Sequence, residues 1–378
     1  MTAERLLAEL VAFPTVSSES NLALLDWVAV LVAPLGPRTR RFASPDGKKA
    51  NVLLSFGPDT PGGLVLSGHT DVVPVEGQAW RADPFRLRQE GGRLIGRGAC
   101  DMKGFLACCL ALAPEWRGLG RPVYLAFSYD EEVGCTGVGP MAEWVGSELA
   151  PALAVVGEPS GMRLVHAHKG GLIGWVHVTG KAGHSSQPDR GVNAVMAAAE
   201  CIARFNQARA ALRGGPQDGA FDPPHSTVQV NLVQGGTGKN IVAGACEFFW
   251  EMRVLPGVDD QAVLAGIEAQ VAAEIVPAMQ AVDPACGVRF SVAARIPALA
   301  PNPDAGVEAR LLDLLGQDAA LAVAYGSEAG IYQRAGVPSV ILGPGDIAQA
   351  HQPEEFVERA QLEACLGVLR RVVGEFCG

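Results

Sequence analysis

Short apolar runs that alternate with helix-like segments constrain the fold of this chain more than any other feature of its sequence. The apolar runs lie at 51–56, 64–67, 123–128 and 153–156. Segments with helical spacing lie at 2–13, 22–35, 103–113 and 138–145. Alternation of this kind is typical of an α/β sheet in which neighbouring strands are parallel, with helices on its faces. The first part of the chain therefore predicts a mostly parallel sheet.

The pattern changes after Lys169, Gly170 and Gly171. Longer runs of alternating polarity lie at 172–178, 226–233 and 246–254, separated by helical stretches at 192–212 and 262–279. The α/β pattern then returns with a helix at 307–315, a buried strand at 337–342 and a closing helix at 362–376. A chain of 378 residues is long enough for two domains. We predict a discontinuous α/β catalytic domain, residues 1–171 and 285–378, with an inserted α+β domain, residues 172–284.

Charge and apolar content exclude several classes of protein. Lys plus Arg number 30 and Asp plus Glu number 40, a net charge of −10 that disfavours binding to nucleic acid. The longest uninterrupted apolar run, 105–113, is less than half of the roughly 20 residues that span a membrane. The first helical segment carries Glu4 and Glu9, which a signal peptide would not. Nine cysteines without a C-x-x-C pair predict reduced thiols in a cytoplasmic protein.

A histidine and several carboxylates follow the predicted strands directly. The residues that follow strands are His69, Asp71, Glu131, Glu132 and Glu158. Asp101 precedes a predicted helix, and His351 lies near the C-terminus. Because sites in open α/β sheets lie beyond the carboxyl ends of the strands, we expect these side chains to meet at one edge. Clustered carboxylates repel one another unless they are protonated or bind cations, and zinc accepts nitrogen and oxygen ligands. The pattern favours a metal site with one or two ions, although solvated turn and cap residues are the common alternative.

Six segments carry a resemblance to a known family. They are SGHTDVVPVEGQAW (67–80), GRGACDMKGF (96–105), DEEVGCTG (130–137), VVGEP (155–159), GHSSQP (183–188) and AHQPEEF (350–356). In this order they resemble the dinuclear zinc amidohydrolases, and the resemblance covers nearly the whole chain. Segments 96–105, 325–340 and 343–357 are most similar to the family members that deacetylate N2-acetyl-L-ornithine.

The resemblance implies a ligand set for two divalent ions, zinc or alternatively cobalt. His69 and Glu158 would bind one ion, Glu132 and His351 would bind the other, and Asp101 would bridge the two. It also implies a cis peptide bond between Asp101 and Met102.

Three further residues take catalytic roles by resemblance. Glu131 would be the general base, because a carboxylate that does not bind the ion keeps an oxygen for the proton of water. Asp71 would orient the ring of His69, a role that the His-x-Asp spacing itself suggests. His184 would stabilise the oxyanion, either within its own chain or from a partner subunit as is common in the family. The second arrangement implies a homodimer through the inserted lid and dimerisation domain. A solvated loop histidine is the alternative for His184.

Substrate contacts are also implied by the resemblance. Arg253 and Asn240 would bind the α-carboxylate of the substrate, whereas an exposed strand cation is the alternative for Arg253. Ser327 and Glu328 would line the site, and Glu328 would lie near the cationic side chain of ornithine. The alternative for Glu328 is a carboxylate at the start of a helix.

The resemblance therefore implies a metal-dependent amide hydrolase that converts N2-acetyl-L-ornithine to L-ornithine and acetate in arginine biosynthesis. N-succinyl-diaminopimelate, another N-acyl amino acid or a dipeptide is the alternative substrate. An inactive metal-binding carrier on the same scaffold is the alternative of another class.

Overall fold

The structure, a computed structural model, describes residues 1–378. The strands are β1 (Arg38–Ala43), β2 (Ala50–Phe56), β3 (Leu64–His69), β4 (Arg88–Glu90), β5 (Arg93–Ile95), β6 (Val123–Ser128), β7 (Leu153–Pro159), β8 (Val165–His168), β9 (Gly170–Thr179), β10 (Gly183–His184), β11 (Thr227–Gly235), β12 (Ile241–Val242), β13 (Ala245–Val254), β14 (Gly287–Ile296), β15 (Leu321–Val323), β16 (Ser339–Gly343) and β17 (Phe356–Glu358). The α-helices are α1 (Ala3–Val11), α2 (Leu22–Val32), α3 (Gly104–Leu112), α4 (Gly139–Trp144), α5 (Ala194–Gly214), α6 (Asp260–Glu274), α7 (Val276–Val282), α8 (Ala305–Leu315), α9 (Ala329–Arg334) and α10 (Arg359–Cys377).

Two compact units make up the chain. The first comprises residues 1–168, 299–322 and 327–378, and the second comprises residues 169–298 and 323–326. We call them the catalytic unit and the inserted unit.

An eight-stranded sheet in the order β1-β2-β6-β3-β7-β16-β8-β15 organises the catalytic unit. Its four central strands, β6, β3, β7 and β16, are parallel, whereas β1 and β2 are antiparallel additions at one side. Every residue of β3, β6 and β7 is buried, which explains why these strands are continuous apolar runs rather than alternating ones. Their parallel direction brings their carboxyl ends to one edge of the sheet.

Helix α3 lies in the apolar core beside this edge. Eight of its nine residues are buried, and its sequence accordingly lacks a polar face. Phe105 at its start packs against the backbone of Gly157 in β7, where an added Cβ would lie 2.0 Å from the ring. The glycine therefore allows helix and strand to approach closely, one residue before Glu158.

The inserted unit contains a four-stranded antiparallel sheet in the order β11-β13-β9-β14. Buried and partly buried residues alternate along β13, as expected for a sheet with one face against a core. Phe248 and Trp250 of that face pack with Phe205 of α5, and α6 adds Leu264 and Val271 to the same cluster.

The boundary of the inserted unit differs from the sequence prediction. Strand β14 pairs with β9 over its length, so the unit continues to residue 298 rather than ending at 284. The strand β1 was also not predicted, because four of its six residues, in RTRRFA, are polar or charged. Such polar edge strands lack the apolar pattern that identifies buried ones.

One helical stretch, 260–282, is long and apolar enough to pass a length-and-composition test for a membrane span. In the structure it forms α6 and α7 and contributes Leu264, Ile267, Val271 and Met279 to the core of the inserted unit. A core helix passes the same test, so the result is weak support for a membrane span.

Candidate metal centre and active site

Polar residues lie at the ends of the three neighbouring parallel strands β6, β3 and β7, as the sequence predicted. His69 is the last residue of β3, Glu158 lies near the end of β7, and Glu131 and Glu132 follow the end of β6. Asp101 lies in the short helical segment Ala99–Lys103 that precedes α3. The Asp101–Met102 peptide bond is cis, as the resemblance implied.

The two carboxylate oxygens of Asp101 face two different histidines. Oδ1 lies 3.0 Å from Nε2 of His69, and Oδ2 lies 3.3 Å from Nε2 of His351. Around this centre, Glu158 Oε1 is 3.9 Å from the His69 Nε2 atom, and Glu132 Oε2 is 2.9 Å from the His351 Nε2 atom. The structure thus brings together all five predicted metal ligands, with Asp101 between two histidine and glutamate pairs.

Burial and mutual repulsion perturb the acids of this cluster. Burial, together with the charges of Glu132 and Asp101, raises the pKa of Glu131 to about 8 against the opposing influence of His69. Burial and the charge of Asp101 raise the pKa of Glu132 to about 7. The pKa of Glu158 also lies well above its ordinary value, because the carboxylate is buried beside other acids. These carboxylates need positive charge nearby in order to ionise at neutral pH.

Two histidines lie beside these carboxylates, and both favour the protonated form. Burial opposes protonation of His69, but its hydrogen bond with Asp101 and the charge of Glu158 raise its pKa well above the ordinary value. Hydrogen bonds with Asp101 and Glu132 raise the pKa of His351 to about 10. Both histidines in turn hold the pKa of Asp101 below its ordinary value, although burial opposes this.

The donor set fits divalent cations. Potential ligand atoms of His69, Asp101 and Glu132 lie within 4.8 Å of one another, and so do those of His69, Glu131 and Glu158. The Oε1 atom of Glu158 is buried without a hydrogen-bond partner in the protein, which is costly unless a cation compensates it. Imidazole nitrogens and carboxylate oxygens are both established ligands of zinc in proteins.

Asp71 contacts His69 through its backbone rather than its carboxylate. The Nδ1–H group of His69 donates to the carbonyl oxygen of Asp71 at 2.9 Å, whereas the nearer carboxylate oxygen is 3.6 Å away. This bond places the lone pair of a neutral ring on Nε2, the atom that faces Asp101 and Glu158. The carboxylate of Asp71 instead accepts the backbone N–H groups of Glu131 and Glu132, at 3.2 and 3.3 Å.

Three residues outside the sequence prediction also hold this loop. Ser17 donates its hydroxyl to Asp71 Oδ2 at 2.7 Å, and Lys49 pairs with Asp130, the residue before Glu131. The Sγ atom of Cys135 lies 3.2 Å from Oε1 of Glu131. Only Cys135 is close to the motif in sequence, so the sequence offered no signal for Ser17 or Lys49.

Ser327 and Glu328 are almost fully buried. Ser327 Oγ accepts the backbone N–H of Ala329 at the start of α9. Glu328 is 1% exposed and lies 3.4 Å from Ser67 Oγ, and its burial raises its pKa to about 7. Glu328 therefore has almost no exposed surface in this structure, and its contact with a substrate amine stays a prediction.

The remaining predicted residues lie in the inserted unit. His184 in β10 pairs with Ile241 in β12, which places it beside Asn240, whose carbonyl accepts the N–H of Ser185 at 3.0 Å. Arg253 lies in β13, where its Nε donates to Glu251 at 3.2 Å.

Together, the fold and the site define a metal-dependent hydrolase. Residues 65–375 match peptidase family M20/M25/M40, and the chain belongs to this family. It is similar to acetylornithine deacetylase from Myxococcus xanthus, with 36% identity over 98% of this chain and 97% of the relative. The acetylornithine deacetylase from Proteus mirabilis is 34% identical, over 98% of this chain and 95% of that protein.

Solved structures agree on the fold. The M20 family metallo-carboxypeptidase Sso-CP2 from Sulfolobus solfataricus superimposes with a TM-score of 0.77 at 16% identity, covering 99% of each chain. A tripeptidase from Staphylococcus aureus gives a TM-score of 0.72 at 20% identity, over 98% of this chain and 96% of that one. These structures support the fold, and the family match and the curated relatives identify the chain as a metal-dependent amidohydrolase.

Proposed function

We propose that this chain hydrolyses the amide of N2-acetyl-L-ornithine to L-ornithine and acetate, as a cytoplasmic enzyme of arginine biosynthesis. The observation that carries the proposal is the carboxylate of Asp101, which faces His69 with one oxygen and His351 with the other. Full-length relatives named acetylornithine deacetylase favour this substrate over other N-acyl amino acids.

Two divalent ions, zinc or cobalt, are part of the proposal. His69 and Glu158 would hold one ion, Glu132 and His351 the other, and Asp101 both. Bound ions of this kind polarise a carbonyl oxygen and lower the pKa of water.

Glu131 is the proposed general base. Its carboxylate takes the proton from the attacking water and returns it to the leaving nitrogen of ornithine. A carboxylate that does not bind an ion keeps an oxygen free to take up and release this proton. Asp71 keeps this base in place through the amides of Glu131 and Glu132.

His184 is the proposed oxyanion donor. Its Nδ1 accepts the backbone N–H of Ser186 at 3.2 Å, so the proton of a neutral ring lies on Nε2. That N–H can donate to the negative charge that develops on the acetyl oxygen. The proposed partners for the substrate carboxylate are the guanidinium of Arg253, which binds carboxylates through two parallel hydrogen bonds, and Asn240.

A homodimer through the inserted unit completes the proposal. Strand β11 is an edge of the inserted sheet, and it exposes 59% of Leu232 and 57% of Val233. Edge strands with exposed apolar residues are templates for pairing with a second chain. We expect Leu232→Lys to give a monomer in sedimentation velocity. The matched control, Val292→Lys on the opposite edge strand β14, should remain dimeric, and a dimer in both variants would contradict this interface.

A substrate panel tests the activity. The purified protein is stripped with a chelator, reloaded with zinc or cobalt, and assayed on N2-acetyl-L-ornithine, N-succinyl-diaminopimelate and other N-acyl amino acids. We expect the highest kcat/KM for N2-acetyl-L-ornithine and no activity without metal. A higher kcat/KM for the succinyl substrate would refute the substrate assignment, and inactivity on every substrate would support the metal-binding carrier instead.

A further inference from the structure

We propose that two side chains outside the ligand set, Gln78 and Arg97, form a relay that positions His351 for its metal ion. The inference rests on the proposed metal centre and adds positioning residues to it.

His351 is the ligand that most needs support. It lies after β16 in a segment without regular structure, its side chain is 51% exposed, and its backbone has a φ of +62°. A left-handed conformation costs a non-glycine residue about 1–2 kcal/mol and persists only where the surroundings enforce it. The other four proposed ligands are less exposed and lie at or beside strands β3, β6 and β7 or in the segment before α3.

Gln78 contacts the backbone of this ligand directly. Its Nε2 donates to the carbonyl oxygen of His351 at 3.1 Å. Its Oε1 accepts from Nε1 of Trp80 at 3.0 Å and from Nη2 of Arg97. Because both partners of the oxygen are obligate donors, the amide cannot flip, and its NH2 group stays directed at His351.

Arg97 connects this amide to the other side of the centre. Its side chain is 1% exposed, and Nη1 donates to Oε2 of Glu355 at 2.6 Å. The second oxygen of Glu355 accepts the backbone N–H groups of Cys100 and Asp101, at 3.0 and 3.1 Å. One planar guanidinium therefore fixes the backbone of His351 relative to that of Asp101.

The geometry of the fork explains why arginine stands at this position. A guanidinium donates in two fixed directions, toward Gln78 and toward Glu355, whereas a lysine ammonium is a single point charge. Partners that orient metal ligands in this way typically contribute 10–100-fold to metal affinity.

A nearby pair of the same chemistry offers a control. Arg93 donates to Glu358 at 3.0 Å and lies over the ring of Phe356, but both charged side chains are substantially exposed. Neither residue has a hydrogen bond to a proposed metal ligand in this structure.

The experiment is calorimetric titration of the metal-free protein with Co²⁺, followed also by the absorption of bound cobalt. The variants are Gln78→Met, Arg97→Lys, the double variant and the control Arg93→Lys, and His351→Ala identifies which binding step belongs to this ligand. We expect Gln78→Met and Arg97→Lys each to weaken that step at least about tenfold. The double variant should bind Co²⁺ at this step no more weakly than the single variant with the lower affinity, because the two residues act in series. Arg93→Lys should bind as the unmodified protein does.

Three results would overturn the relay: unchanged affinities in the single variants, losses that add in the double variant, or equal weakening of both ions by Gln78→Met. Gln78 is only half-buried, so its variant tests the relay even where Arg97→Lys does not fold. An unmodified protein that binds fewer than two ions would refute the metal centre, and the proposed function with it. Two ions bound with normal affinity by Gln78→Met and Arg97→Lys, with one step lost in His351→Ala, would refute the relay alone.

Discussion

The acids of the metal centre should make the metal-free protein less stable as the pH rises, and Glu132 allows this to be tested. Its side chain is 6% exposed and lies 2.9 Å from His351. Burial, and then the charge of Asp101, raises its pKa from 4.5 to about 7. Between those two values the folded protein holds a proton on Glu132 that the unfolded chain has already released.

The sign and size follow from proton linkage. Because the folded state binds more protons in this window, the free energy of unfolding falls as the pH rises from 4.5 to 7. A rise in pKa from 4.5 to about 7 corresponds to a loss of about 3 kcal/mol, an order-of-magnitude value. Below pH 4.5 the group contributes no loss, because it is protonated in both states.

Glu132→Gln removes this titration while it keeps the size of the side chain. The assay is urea unfolding of the chelator-stripped protein from about pH 4.5 to 7.5, with Glu143→Gln, an exposed glutamate of the same unit, as the control. We expect the variant to lose about 3 kcal/mol less than the unmodified protein across the window, and the control to behave as the unmodified protein does. Equal slopes in Glu132→Gln and the unmodified protein would refute the reasoning.

Three further outcomes are expected. Glu131→Gln should lower kcat about 10²–10⁴-fold while calorimetry shows two bound ions, and near-normal turnover would exclude it as the base. Asp71→Asn presents an NH2 group where the carboxylate of Asp71 accepts the backbone N–H groups of Glu131 and Glu132, so kcat should fall about 10–100-fold. Unchanged kinetics would show that the position of Glu131 does not depend on Asp71. Gly157→Ala forces a methyl group against Phe105 and should cost about 1–3 kcal/mol in urea unfolding, whereas wild-type stability would mean that α3 moves freely.

The sequence was most informative where local pattern and function coincide. The apolar strands β3, β6 and β7 are buried on both faces, so their ends could be located, and with them His69, Glu131 and Glu158. Their convergence follows from the parallel order of the strands, which the alternation of strands and helices predicts.

Contacts between distant segments could not be predicted in this way. Ser17 and Asp71 are 54 residues apart, and no periodicity links a loop hydroxyl to a carboxylate over that distance. Nor does the His-x-Asp spacing distinguish the backbone carbonyl of Asp71 from its carboxylate, although the structure places only the carbonyl in hydrogen-bonding range of His69. Strand β14 was missed because its partner β9 lies more than a hundred residues earlier in the chain.

The position of β16 in the central sheet has a consequence for synthesis of the chain on the ribosome. This strand lies between β7 and β8, yet the whole inserted unit separates it from them in sequence. Because translation adds about 5–20 residues per second, β7 is synthesised on the order of 10–40 s before β16, and one of its edges is unpaired during that time. Unpaired edges of apolar strands attract other chains, so the nascent protein is exposed to aggregation during this interval. His351 emerges directly after β16, so the strand that closes the sheet also brings the last metal ligand.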